Sequence, residues 1–441
     1  MVPVLPMSRA LCGFGLLACL WGCAGGVRLS RESLADPLMR FDPPPQLRGP
    51  SEPRIAPDAI IAPNTVTSRI VVAAETGADV AGTSTESSLR AAVEVLSGIA
   101  LEAGYGVASD RHIEHRLDGF FGPLTVERLL HGPDAAVVLD DGTSLLRLGY
   151  RFRTAWDGQT HEPSILARTL ILGRDTVLEV GYARQLRSLV IPAERLPADL
   201  PLSEDVRVDR FSASLEQGFT PGINLRLDLV AAIEEGFLAS PYRKVTLWSQ
   251  HDPALPAVGV PRSEPENHPG ARHRLEGLLR VRKTVGVRGV FEAGAGYGRD
   301  NWRVEHESLM LGFQLRLFER LVARLSGGAW HQTRASFYRN DYPDGPPGAY
   351  WSADRHLASY LAWWAESGVR VLWLAEDRRL LGLFRHFSLD VGFCFQKTHF
   401  DWEGIGSPNG FSGWNGVAGP TRTSFAGGQI FVGSLAFEGG F

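Results

Sequence analysis

His112-Ile113-Glu114-His115 crowds two imidazoles and a carboxylate into one short run, and these are side chains that ligate metal ions. In an extended strand, however, successive side chains alternate between faces, so His112 and His115 point in opposite directions. The His-Glu-x-x-His spacing of the zinc hydrolases is absent, so no metal site is predicted. Gly294-Ala295-Gly296, within Gly289 to Gly298, sits in an alternating segment and reads as a strand with small residues inside, not as a phosphate loop. Tyr297-Gly298-Arg299-Asp300-Asn301-Trp302-Arg303 reads as a tight hairpin, with Gly298 free to take a positive φ and Trp302 placed at an interface. A hydrolase working at a barrel wall needs a Ser/His or Asp/His arrangement. None of the signatures of such enzymes is present, so no catalytic residue and no cofactor is assigned.

The charged side chains with the most regular placement are arginines and carboxylates on one face of alternating segments: Arg147, Arg151, Arg226, Arg288, Arg316 and Arg324 with Glu179, Asp228, Glu292 and Asp390. Two readings stay open for them. They pair across strands and fill a hydrated lumen, or they line a passage that selects anionic or zwitterionic solutes. A formal net charge of -4 and a pI near 6.3 provide no polycation, which excludes nucleic acid as a partner.

The elements that carry these charges alternate with a period of two. Leu146, Leu148, Tyr150 and Phe152 oppose Arg147, Arg151 and Arg153, and Ile223, Leu225, Leu227 and Leu229 oppose Asn224, Arg226 and Asp228. The same holds for Phe291, Ala293 and Tyr297 against Glu292, for Leu321, Ala323 and Leu325 against Arg324, and for Phe387, Leu389, Val391, Phe393 and Phe395 against Asp390 and Cys394. Many of these runs exceed the usual length of a soluble strand and suit a bilayer crossing. The last one, Gln429 to Phe441, places Phe431, Leu435, Phe437 and Phe441 on one face. Phe437 and Phe441 read as the terminal insertion signal presented to the barrel-assembly machinery, which would pair with it by strand addition.

Outer-membrane barrels have short periplasmic turns and long external loops. Counting back from a periplasmic C-terminus puts the stretches near 400–422, 336–353, 233–271 and 186–205 outside. Asp377-Arg378-Arg379, Phe318-Glu319-Arg320, Lys283-Thr284, Thr220-Pro221-Gly222 and Gly173-Arg174-Asp175 then lie inside. The parity requires Leu357 to Leu374 to be one strand. It predicts about twelve strands from Leu145 and, with a hairpin over Ser88 to Ala108, an all-β antiparallel transmembrane barrel of about 14 strands, in a range of about 12 to 16. Residues 110–144 fall on the periplasmic side or fold into the lumen as a partial plug.

Ahead of the barrel, Arg9, the apolar run Leu11 to Leu20 and the small-residue region around Cys23 form an export signal over 1–22, too short for a spanning helix. Cys23, with Cys19 as the alternative, is the lipidation candidate. Residues 23–67, with Pro43-Pro44-Pro45, suit an extended periplasmic tether, and 68–441 form the barrel. Cys394 is the remaining cysteine, so no intramolecular disulfide is available to the mature chain.

Cys23 followed by Val27-Arg28-Leu29-Ser30-Arg31-Glu32-Ser33-Leu34-Ala35 and Pro37-Leu38-Met39 resembles a short bacterial lipoprotein family, departing from it at Leu29-Ser30, where Pro-Trp is the family pattern. The main body resembles a family of uncharacterised outer-membrane barrels, the domain of unknown function thirty-five seventy. The resemblance is carried by Gln217-Gly218-Phe219-Thr220-Pro221, Gly236-Phe237-Leu238-Ala239-Ser240-Pro241-Tyr242-Arg243, Pro265-Glu266, Arg272 with Arg274, Asp300-Asn301-Trp302, Ala335-Ser336-Phe337-Tyr338 and Ser352-Ala353-Asp354. It implies a barrel in the bacterial outer membrane and no known reaction. The expected partners are outer-membrane lipids, the assembly machinery and a periplasmic protein docked on the tether. The expected role is a solute channel or the conduit of an export or redox system; a docking barrel and an outer-membrane hydrolase are the competing readings.

Overall fold

Long alternating runs rich in Val, Leu, Thr and aromatic residues favour extended backbone, and in a bilayer such strands are stable only when the sheet closes and leaves no edge unpaired. The computed structural model describes residues 64–76, 81–114, 124–171, 176–190, 203–220, 222–239, 244–249, 260–339, 342, 348–352, 354, 357–374, 386–400 and 429–440. The strands are β1 (Thr65–Thr76), β2 (Ala81–Leu96), β3 (Ile99–Glu114), β4 (Leu124–Asp140), β5 (Ser144–Ala155), β6 (Gly158–Ile171), β7 (Thr176–Val190), β8 (Ser203–Thr220) and β9 (Ile223–Gly236). They continue as β10 (Lys244–Ser249), β11 (Val260–Pro265), β12 (Ala271–Val285), β13 (Gly289–Asp300), β14 (Glu305–Phe318), β15 (Leu321–Gln332), β16 (Tyr360–Leu374), β17 (His386–Phe400) and β18 (Gln429–Gly440). All but β10 and β11 form one closed antiparallel barrel of 16 strands in chain order, and β1 seals against β18 from Thr65↔Gly440 to Thr76↔Gln429. β10 and β11 pair only with each other, as a hairpin inserted in the connection from β9 to β12.

An even strand number brings the start of β1 and the end of β18 to one rim. The turns at that rim are short at 97–98, 141–143, 221–222, 286–288 and 319–320, while the long connections 191–202, 237–270, 333–359 and 401–428 leave from the other. The expected sidedness therefore holds, with the terminal rim periplasmic. One expected turn shifts, since Lys283 and Thr284 belong to β12 and the chain reverses at Gly286 to Arg288; those at Gly173-Arg174-Asp175 and Asp377-Arg378-Arg379, and Pro221, lie outside the described residues.

The estimate of about 14 strands is corrected to 16. The twelve strands after Leu145 and the hairpin β2–β3 are present; β1 and β4 are the additions. The described parts of residues 110–144 are thus wall and not plug. Residues 110–114 complete β3, and 124–144 form β4 and the tight turn into β5, while 115–123 lie outside the described residues. Gly132-Pro133 in the middle of β4 disguised it, because proline supplies no ladder donor. The pairing of β4 with β5 skips from His131↔Thr154 to Asp134↔Arg151. Arg153 repairs the gap: its Nη1 donates to the carbonyls of Gly132 at 2.8 Å, Pro133 at 3.1 Å and Phe152 at 2.8 Å.

Three register shifts, at Glu94/Leu96, Gly218/Thr220 and Arg316/Phe318, all sit beside periplasmic turns. Each leaves an extra apolar residue on the outside, Val95, Phe219 and Leu317, at the level of the membrane interface.

Candidate functional site in the barrel interior

Alternation decides what the lumen contains. On β5, Leu148 and Tyr150 are 46% and 47% exposed on the outer wall while Arg147 is 4% exposed inside. Val391 and Phe393 on β17 face outward and Asp390 inward; on β18 Phe431 and Leu435 face outward. The outward residues repeat around the barrel as Ile70, Leu101, Val180, Phe211, Leu229, Leu279, Leu309 and Leu325, a continuous apolar band on a closed sheet. Water would not tolerate that surface, and lipid requires it.

Inside, the charges form a belt a few residues above the periplasmic rim. Arg324 holds Asp390 in a fork, Nη1 to Oδ2 at 2.7 Å and Nη2 to Oδ1 at 2.6 Å, and Arg370 Nε donates to the same Oδ2 at 2.9 Å. Arg280 Nη2 and Arg226 Nε share Asp228 at 2.6 and 2.7 Å, and Arg226 extends to Glu216 at 3.4 Å and toward Glu179 at 3.9 Å. Arg282 reaches Glu292 at 3.2 Å, and Arg147 closes on Glu102 at 2.9 Å across three strands. Higher up, Arg151 pairs with Glu162 at 3.0 Å and Arg90 with Asp134 at 3.0 Å.

Glycines let these long side chains lie along the wall instead of crossing the lumen. A Cβ at Gly368 would sit 2.6 Å from Arg324 Nε, one at Gly149 2.9 Å from Arg147 Nη1, and one at Gly106 2.8 Å from Arg153 Nη2. The sequence alone leaves these glycines looking like idle small residues in strands; the hollow each provides depends on which arginine a neighbouring strand brings over it.

Of the residues expected to line the lumen, Arg147, Arg151, Arg226, Asp228, Glu292, Arg316, Arg324 and Asp390 lie on the inner face. Arg288 does not: it is exposed in the β12–β13 turn, where its carbonyl accepts from Arg316 N at 2.8 Å. Sequence reading passed over Glu102, Arg280, Arg282 and Arg370, although each falls on the charged parity of its own strand. Cys394 is buried inside against Met310 and Trp364, with Leu278 and Val432 packed on them. Phe437 faces outward and lies 6.1 Å from Phe387, ring to ring. Phe441, Cys23, Cys19 and His115 lie outside the described residues, as do the signal and most of the tether.

The external loops build a second structure. Trp302 is not at a membrane interface: it is 4% exposed, packed on Val304, Ala335, Phe337, Tyr338, Leu357 and Ala358, with Arg272 4.6 Å above its ring. Arg272 also grips Asp300 at 2.6 Å, and Asp300 Oδ1 accepts from Trp302 N and Val304 N. The positive φ of this hairpin belongs to Arg303, at 69°, and not to Gly298. Nearby, Ser352 Oγ donates to Glu266 at 2.9 Å and His268 Nε2 lies 3.6 Å from the same carboxylate. The carboxylate stands between hydroxyl and imidazole, so the imidazole cannot take the serine proton. The trio ties the β11–β12 connection to the β15–β16 connection and does not form a nucleophile. Tyr342, fully buried, completes the latch: its hydroxyl accepts from Ser352 N at 2.8 Å and lies 2.9 Å from the carbonyls of Phe337 and Ser352. Burial pushes its phenol up to about 12. Among the described residues no group of three metal-ligating side chains occurs.

No family model matches the chain, and no curated protein matches it. Solved structures do. A bacterial polysaccharide outer-membrane secretin matches with a TM-score of 0.47 at 9% identity, over 86% of this chain and 100% of its own. A loop-deletion mutant of OmpT, an outer membrane protein of Vibrio cholerae, gives 0.37 at 5% identity over 85% and 99%. Pseudomonas aeruginosa OpdK with vanillate gives 0.38 at 8% identity over 85% and 98%. What places this chain is its own surface: a closed sheet, an unbroken outward apolar band and a charged interior are those of a bacterial outer-membrane β-barrel protein.

Proposed function

We propose that the barrel is a passive conduit for small hydrophilic, charged solutes. The observation that carries this reading is the belt of arginines and carboxylates held flat on the inner wall, from Arg147 and Glu102 on one side to Arg324 and Asp390 on the other. Eight-stranded barrels fill their interior with side chains, whereas 16-stranded barrels are wide enough for an aqueous channel. Here the long charged side chains fold back over glycine hollows, and Arg226 and Glu179 retain 34% and 29% of their side-chain exposure in the interior. A wall of paired charges offers any polar solute successive hydrogen-bond donors and acceptors without a deep trap, the condition for entering and leaving.

Refolded full-length protein in a planar bilayer is expected to give stepwise, ohmic conductance. A folded barrel, confirmed by its heat-modifiable gel mobility, that carries no current would end the proposal. Among the described residues the Ser352–Glu266–His268 trio is the nearest approach to a hydrolytic constellation, and its geometry supports a structural role, so we assign the chain no enzymatic reaction.

A further inference from the structure

The paired part of the belt is close to balance. Asp390 and Glu366 serve Arg324 and Arg370, Glu292 serves Arg282 with Arg280 3.8 Å away, and Arg147 has Glu102, so arginines and carboxylates nearly match here. The acid-rich exception is Arg226, which faces Glu179, Glu216 and Asp228, but Asp228 is shared with Arg280.

Two further arginines enter the same level without an ion pair to a described carboxylate. Arg69 on β1 lies on the inner parity of Val71 and Ala73, whose outward neighbours are Ile70 and Val72. Its direct cross-strand neighbours are Ser88 and Ala436, which carry no charge, the nearest acids Glu86 and Glu438 stand one diagonal step away, and its side chain is exposed to the lumen. Arg168 on β6 lies on the inner parity of Glu162 and Ser164, with Ile165 outward. Its direct cross-strand neighbour is Glu179, but that carboxylate leans toward Arg226 on β9 instead, at 3.9 Å. Neither Arg69 nor Arg168 makes a hydrogen bond or an ion pair with a described residue. They stand on well-separated strands of the ring, three residues from the periplasmic end of β6 in one case and four from that of β1 in the other.

Resting on the conduit reading, we infer that Arg69 and Arg168 give the belt its sign and make the lumen selective for anions, with small carboxylate- or phosphate-bearing solutes as the favoured class. A guanidinium committed to a carboxylate presents little net field to a passing ion, whereas an uncommitted one in a low-dielectric wall attracts anions over roughly a Debye length, about 10 Å at 0.1 M salt. Unpaired inner acids also exist: Glu276 in the external half, and Glu86 and Glu438, which flank Arg69 diagonally on β2 and β18 without an ion pair to it.

The test is the reversal potential of the full-length barrel in planar bilayers across a KCl gradient. Wild-type protein is expected to pass chloride in preference to potassium, most clearly near 0.1 M and less so near 1 M, where the screening length falls to about 3 Å. The double variant Arg69→Gln/Arg168→Gln should bring the permeability ratio down toward unity by about twofold or more, with conductance retained. Lys397→Gln, which removes a cation from the outer wall, should leave the ratio as it was. A conducting wild-type barrel that prefers potassium, or a double variant whose reversal potential does not move, overturns the inference while the conduit reading stands. A folded wild-type barrel without current overturns both.

Discussion

Removing the carboxylate of Asp390 tests the belt at its most concentrated point. In Asp390→Ala, Arg324 loses both arms of its fork, at 2.6 and 2.7 Å, and Arg370 loses its 2.9 Å contact. The side chains involved are 15%, 20% and 11% exposed for Arg324, Arg370 and Asp390, so the site is neither dry nor open. Breaking a fully buried pair by deleting one partner costs about 3–5 kcal/mol, and breaking an exposed one about 0–1 kcal/mol. At this partial exposure, with lumen water able to approach the freed guanidiniums, the expected loss is about 2 kcal/mol. Glu366, 3.7 Å from Arg324, absorbs part of the excess charge. Asp390→Asn keeps an acceptor and should lose about 1 kcal/mol, since hydrogen bonds to charged groups exceed neutral ones by roughly that amount. Reversible urea unfolding of the barrel in vesicles, followed by tryptophan fluorescence, measures both, and the double variant Asp390→Ala/Arg324→Ala closes a thermodynamic cycle with a coupling of about 1–2 kcal/mol. The same alanine variant should raise the preference for chloride, because it frees two arginines. A change in stability under about 0.5 kcal/mol, or a shift of selectivity toward potassium, would refute the idea that Asp390 restrains and neutralises these two arginines.

The division between inner and outer walls predicts that Val391→Arg, placed on the lipid face of β17, loses about 2–4 kcal/mol of stability in vesicles, while Val230→Arg on the inner face of β9 loses less than about 1 kcal/mol; equal losses would contradict the assignment of faces. Arg303 holds φ at 69°, so Arg303→Gly should stabilise the external loops by about 1 kcal/mol, seen as slower proteolysis between β13 and β16, and faster cleavage would contradict it. Tyr342 has a phenol raised by burial to about 12, above its unfolded value near 10. Its contribution is therefore full below about pH 10 and is lost as pH climbs through about 12. Absorbance titration of wild type against Tyr342→Phe should show one late-ionising phenol, with the loops opening to protease in that window. Titration of every tyrosine near pH 10 would dispose of this latch.

Period-two patterning over runs long enough to cross a bilayer made the barrel class, the two walls and the sidedness of the loops legible in the chain itself. Face assignment needs only parity within one strand, so Arg147, Arg226, Arg324 and Asp390 were placed on the inner wall by alternation alone. β1 and β4 were not legible, because one begins against a proline-rich stretch and is sealed by β18 from the far end of the chain, and the other carries Gly132-Pro133 in its middle and is held by its long pairing with β3. Pairing also depends on the register around the whole cylinder. That register sets Arg147 against Glu102, forty-five positions earlier, and turns Glu179 from Arg168 toward Arg226. It also laid Arg324 over Gly368 and folded Trp302 under the loops. Local sequence determines which wall a side chain faces, since alternation is a property of single strands. Which charge is neutralised and which is left to meet a solute is a property of the closed sheet.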